Sequence, residues 1–130
     1  MKNVLVIGST GQIGSELTKE LRSRYGNEHV VAGYIKGAEP TGELLESGPA
    51  EECDVTNGEM IANVVRKHHI DAIYNLAALL SVVAENKPRL AWRIGIDGLW
   101  NVLDVARENH CQVFTPSSIG SFGNNTPKWN

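Results

Sequence analysis

Cysteine is scarce in this 130-residue sequence: only Cys53 and Cys111 are present, and they lack the spacing of a metal site. Both fall in or beside segments that read as strands. Two reduced thiols in a cytoplasmic protein are therefore expected, with no metal and no disulfide. No apolar stretch approaches the length of a membrane span, so no membrane is expected as partner. The short apolar run near the amino terminus leads straight into glycines, which does not read as a signal peptide. Basic residues are not in excess either. Twelve Lys and Arg against fifteen Asp and Glu leave a formal charge of −3, and no expected helix carries a basic stripe. That balance argues against nucleic acid or an anionic surface. Repeats and low-complexity tracts are also missing, and the length suits one domain with a sizeable core.

What is present is an alternation of strand and helix. Residues 3–7 are apolar almost without interruption, as in a central parallel strand covered on both faces. Ile13, Leu17 and Leu21 recur every four residues, and Gly26 stops that helix after Tyr25. A second strand is expected at 29–35. Residues 36–49 hold three glycines and two prolines and read as a surface loop, with Leu44 and Leu45 tucked inward. A third strand at 51–55 precedes Thr56-Asn57-Gly58-Glu59, which reads as a capping box opening a helix. Ile61, Val64 and Val65 form the buried stripe of that helix. A fourth strand at 72–78 is followed by a loop. A long helix then runs from Pro88 to about Asn109, with Leu90, Ile94, Leu99, Val102, Leu103 and Ala106 inward. The fifth strand is 112–115. Right-handed crossovers make this an α/β, Rossmann-type doubly wound parallel sheet in the order 3-2-1-4-5, truncated before its last part.

Between the first strand and the first helix lies Gly8-Ser9-Thr10-Gly11-Gln12-Ile13-Gly14. Gly8 allows a tight turn, Gly11 lets the backbone approach a pyrophosphate, and Gly14 lets the helix pack closely on the sheet. The N–H groups of Gln12 and Ile13 then aim at the anion, with the helix dipole behind them. A Walker-type loop is excluded because no Lys-Ser/Thr pair follows the glycines. An acid that grips the adenosine ribose is expected about twenty residues on, and Tyr34 stands there instead. Tyr34 is placed to lean on the ribose and Lys36 to meet a 2′-phosphate. Equally, they are a strand-end tyrosine and a solvated lysine. NAD is preferred and NADP is not excluded.

Four stretches together resemble the extended short-chain dehydrogenase/reductase family of NAD-dependent epimerases and dehydratases. They are the glycine motif, Cys53-Asp54-Val55-Thr56, residues 75–81 (NLAALLS) and residues 116–123 (PSSIGSFG). The stretches 75–81, 84–88 (AENKP) and 116–123, with 126–128 (TPK), are most similar to the epimerase-like L-threonine 3-dehydrogenases. The resemblance implies that Asp54 and Val55 hydrogen-bond the adenine, although Asp54 also suits a helix cap. It implies that Leu76, Ala77 and Ala78 pass close to the dinucleotide. Ser81 and Ser118 would face a small-molecule substrate, L-threonine, with Ser118 orienting the reacting alcohol.

The family's base, a Tyr with a Lys four residues later, is absent from these 130 residues, and the resemblance places it about a dozen residues beyond Asn130. Gly95 stands where relatives generally carry an Asn that orders the active site. The chain is thus expected to be an incomplete NAD(P)-binding domain over 1–130, inactive alone, of marginal stability or prone to association, and dimeric when intact. A sugar-nucleotide epimerase or dehydratase, and a non-catalytic dinucleotide-binding module, are the alternatives. His68-His69 read as helix-end residues complementing the dipole rather than metal ligands. Trp92 and Trp100 read as core or subunit packing.

Overall fold

Five parallel strands in a computed structural model, which describes residues 2–77, 89 and 93–115, form one sheet in the order β3-β2-β1-β4-β5. The strands are β1 (Val4–Ile7), β2 (Val30–Tyr34), β3 (Ala50–Glu52), β4 (Ala72–Asn75) and β5 (Gln112–Phe114). Helices α1 (Gln12–Tyr25), α2 (Glu43–Glu46), α3 (Gly58–Lys67) and α4 (Gly98–Asn109) connect them, and a π-helical turn, Arg93–Asp97, leads into α4. The chain is therefore the doubly wound α/β fold that its strand–helix alternation predicts. β1 sits at the centre, with Val4 opposite Val30 on one side and Ala72 on the other.

The continuous apolar run of β1 conceals a period of two. Leu5 and Ile7 join Val31, Ile73 and the α3 and α4 residues Ile61, Val65, Val102 and Val105. Val4 and Val6 point the other way and join Val30, Ala72 and Leu21 of α1. A strand buried on both faces needs apolar residues at every position, which is why the alternation does not show in the sequence. Each fully buried aliphatic side chain here contributes roughly 1.5–3 kcal/mol.

Several local expectations are corrected. Ile13 is 59% exposed, while Leu21 is buried and Leu17 packs against the core as expected; α1 also buries Gly14, Thr18 and Arg22. The helix meets the sheet turn at Gly14, which rotates Ile13 outward. A Cβ on Gly14 would stand 2.0 Å from the Gly8 carbonyl oxygen, so helix and turn touch backbone to backbone. The segment read as a loop contains α2, with Leu44 half-buried and Leu45 51% exposed. Arg22 explains this, because it fills the inward space. Its Nε donates to Val30 O (3.1 Å), Nη1 to Leu44 O (2.7 Å) and Ser47 Oγ (2.9 Å), and Nη2 to Pro49 O (2.8 Å). Burial lowers the pKa of the guanidinium, which stays charged and serves as a clasp between α1, β2 and the α2 segment.

At α3 the cap is Asn57, whose side chain accepts the Met60 N–H at 3.1 Å. Thr56, the residue expected to cap, is held back by Asp54 Oδ1, which accepts both its N–H (2.9 Å) and its hydroxyl (2.7 Å). On α4, Val102, Val105 and Ala106 are buried as a stripe, whereas Leu103 faces out. Helices α3 and α4 hand over to their strands through His69 (φ 53°) and His110 (φ 58°) in the left-handed region. His68 does something different. Its Nε2 lies 2.6 Å from Glu51 Oε2 on β3, and Lys67 Nζ reaches the same oxygen at 2.8 Å. Both thiols are free; Cys53 is buried and its pKa is pushed up to about 12 by that burial and by Asp54 and Glu51.

Two outcomes follow. Gly14→Ala is expected to destabilise the chain by about 2–3 kcal/mol through backbone overlap, read as a lower urea midpoint at unchanged slope. Burial alone would raise the Glu51 carboxyl, yet the hydrogen bonds from Lys67 and His68 prevail and bring it below its ordinary 4.5. Its contribution is then complete above the unfolded value and disappears as pH drops through the lower folded value. Wild type should exceed Glu51→Gln in stability at neutral pH, with the gap closing in urea titrations as pH falls below the carboxylate's ordinary 4.5.

Candidate functional site

The site begins where β1 ends. In the 3-2-1-4-5 order, successive connections run outward in opposite directions from β1, so a crevice opens between the carboxyl ends of β1 and β4. Gly8 turns the chain there with φ +81°, and a Cβ on it would meet Leu76 C at 3.1 Å and Ala77 N at 3.3 Å. The Leu76 N–H donates to Ile7 O (3.0 Å), which holds the exit of β4 against the turn. Leu76 and Ala77 are buried. The glycine turn and the β4 exit are thus brought together as the sequence predicts.

The three motif glycines differ in what requires them. Gly8 needs its positive φ and Gly14 its missing Cβ. Gly11 has ordinary extended backbone (φ −71°, ψ 171°), and the closest described atom to its Cβ position is Gly8 O at 3.5 Å. Within the described residues, then, the fold does not demand glycine at this position. The missing side chain leaves the backbone there open to close approach. The α1 amino terminus fits a ligand there: no side chain caps it and its first turn holds no acid. The N–H groups of Gln12 and Ile13 open this helix, where the dipole favours an anion.

Neighbouring elements frame the turn. The Ser9 N–H (3.0 Å) and hydroxyl (2.8 Å) both donate to Gly33 O, fastening the turn to the end of β2. Half-buried Tyr34 comes next, and its carbonyl accepts the Cys53 N–H at 2.6 Å. Asp54 and Val55 follow at the end of β3. One oxygen of Asp54 is engaged by Thr56, and Val55 O accepts Asn101 Nδ2 at 2.8 Å. At β4, buried Asn75 accepts the Ala77 N–H (3.3 Å) on its side chain. Ala78, Ser81 and Ser118 lie outside the described residues. Gly95 is buried in the turn before α4, and no described atom lies within 4 Å of its Cβ position.

Sequence reasoning missed Ser9, Asn75 and Asn101. Each acts through one or two hydrogen bonds to main chain distant in sequence, apart from the local bond of Asn75, and none belongs to a periodic pattern. A small hydroxyl residue directly behind the first glycine was the one available signal. Among the described residues no cluster of His, Cys, Asp and Glu is arranged to hold a metal, and no described helix is long and apolar enough to cross a membrane.

Known proteins share this arrangement. The chain is 45% identical over all its 130 residues to an uncharacterized epimerase/dehydratase of Staphylococcus saprophyticus, covering 40% of that protein. It is similar to the crystal structure of L-threonine dehydrogenase from Clostridium difficile, with TM-score 0.87 and 45% identity over 98% of this chain and 40% of that one. It is also similar to the holo form of a GalE-like L-threonine dehydrogenase from Cupriavidus necator, with TM-score 0.82 and 40% identity over 96% of this chain and 40% of that one. The chain spans about two-fifths of the length of these relatives. The sequence model of the NAD dependent epimerase/dehydratase family matches residues 4–129, and the chain belongs to that family.

Proposed function

We propose that residues 1–130 form the dinucleotide-binding part of an NAD-dependent L-threonine 3-dehydrogenase. The observation that carries the reading is Gly11, a glycine the described fold does not itself require, at the open end of an uncapped helix. The threonine assignment draws its support from the similarity to two L-threonine dehydrogenases at 45% and 40% identity.

In this reading the N–H groups of Gln12 and Ile13 bind the pyrophosphate between Gly8, Gly11 and Gly14. Tyr34 borders the adenosine ribose, and Asp54 and Val55 hold the adenine. Leu76, Ala77 and Ala78 line the path toward the nicotinamide. A dinucleotide held by these residues would supply the hydride acceptor for threonine C3, and 2-amino-3-ketobutyrate would be the product. Ser81 contacts the amino acid and Ser118 orients its hydroxyl. The proton leaves to a base outside these residues, because no Tyr is followed by Lys four positions later in the sequence. The chain by itself therefore binds dinucleotide without turning threonine over. Exposed Ile96, Trp100 (72%) and Leu103 on and before α4 support a homodimer as the intact assembly. The free cysteines support a cytoplasmic setting.

Calorimetric titration of the 130-residue chain with NAD is expected to show saturable binding. Gly11→Val should weaken it by at least about tenfold while leaving the urea midpoint in place. Absence of binding by a folded chain would refute the reading. The substrate is tested in a chimera carrying residues 1–130 in front of the remaining part of the Clostridium enzyme. NADH formation from L-threonine is expected, with kcat falling about 100-fold on Ser118→Ala. A folded, NAD-binding chimera that leaves threonine untouched would show that another substrate is served.

A further inference from the structure

Where an acid commonly grips the adenosine ribose, the end of β2 has a different chemistry. Tyr34 lies one residue beyond the Ile7–Gly33 pairing and so borders Gly8, and it stands opposite Glu52 in the β2–β3 register. Its main chain is held on both sides, by Ser9 to Gly33 O and by Cys53 to its own carbonyl. The chain then turns through Gly37 (φ +95°), closed by the Ala38 N–H on Ile35 O at 2.9 Å. Lys36 is exposed in this turn and makes no ion pair among the described residues. Glu39 is the first acid after β2. Its carboxylate folds back on the Gly37 N–H (3.1 Å), and that bond and its own amide keep it below the usual carboxylate range.

An acid at this place acts twice: it accepts the ribose 2′-hydroxyl and repels a 2′-phosphate. A tyrosine is neutral and both donates and accepts, so it removes the repulsion and keeps a hydrogen bond. Glu39 does not stand in the place of the missing acid: it comes five residues after Tyr34, beyond the Gly37 turn, with one of its oxygens held by the Gly37 N–H. Glu52 is the remaining carboxylate in register, one strand further out. Resting on the dinucleotide reading above, we propose that this site accepts the adenosine ribose with or without a 2′-phosphate. Tyr34 removes the excluding charge, and Lys36, two residues on, supplies the cation.

Titration of the 130-residue chain with ADP-ribose and with its 2′-phosphorylated counterpart tests this without any turnover. The two dissociation constants are expected within about tenfold of each other. Tyr34→Asp should weaken the phosphorylated ligand by at least about tenfold and not weaken ADP-ribose. Lys36→Ala should weaken only the phosphorylated ligand, by about three- to fivefold. Unchanged urea midpoints for both variants guard against misfolding. If wild type favours ADP-ribose by more than about 100-fold, the proposal falls while the dinucleotide reading stands. If neither ligand binds, the dinucleotide reading itself falls and takes this one with it. If the preference ignores Tyr34→Asp, discrimination lies elsewhere and the proposal is wrong.

Discussion

The contact between α1 and the turn that precedes it, backbone against backbone at Gly14 and Gly8, governs the rest of this molecule. With no side chain in between, the helix axis comes down on the sheet at the point where strand order reverses. A helix standing off by the width of a methyl group would aim its free N–H groups elsewhere, and the crevice beside β4 would lose its positive floor. The Ser9–Gly33 bonds and the Leu76–Ile7 bond hold the turn from either side. Geometry at the carboxyl rim is thus set by main chain, which leaves the side chains there free to vary with the ligand.

A division of labour follows. The elements that make the rim rigid are apolar or backbone-paired, and the residues that would discriminate among ligands sit on turns just beyond strand ends. Tyr34, Asp54 and Val55 each follow or end a segment anchored in the sheet, and Asn101 reaches across from α4 to hold Val55 in place.

Most of the fold was legible because the sheet is buried on both faces and strand alternates with helix. Residues 3–7 and the Ile61, Val64, Val65 stripe carry their burial openly. Gly8 and Gly14 were legible for a related reason, since a positive φ in a tight turn and a backbone-to-backbone contact both select glycine. Two of the misread features share one cause, a polar side chain that makes hydrogen bonds of its own. Arg22 took the place inside that Leu44 and Leu45 were expected to fill, and Asp54 captured Thr56 so that Asn57 became the cap. Of the expected α1 stripe, Leu17 and Leu21 pack inward, and Ile13 alone is turned out, next to the Gly14 contact. Of the candidate site, the nucleotide half could be compared with structure. Ala78, Ser81 and Ser118 fall outside the described residues.

The two margins of the sheet are unlike. β3 is Ala50–Glu52 and carries two carboxylates on opposite faces, Glu51 tied to the end of α3 and Glu52 exposed. β5 is Gln112–Phe114, uncharged, with Phe114 exposed and stacked on Tyr74 at 4.7 Å between ring centroids. Charge on a border strand discourages backbone pairing with another chain, and an uncharged, aromatic border does not. Among the described residues, growth of this sheet by one more ladder therefore has a direction: it is open past β5 and guarded past β3.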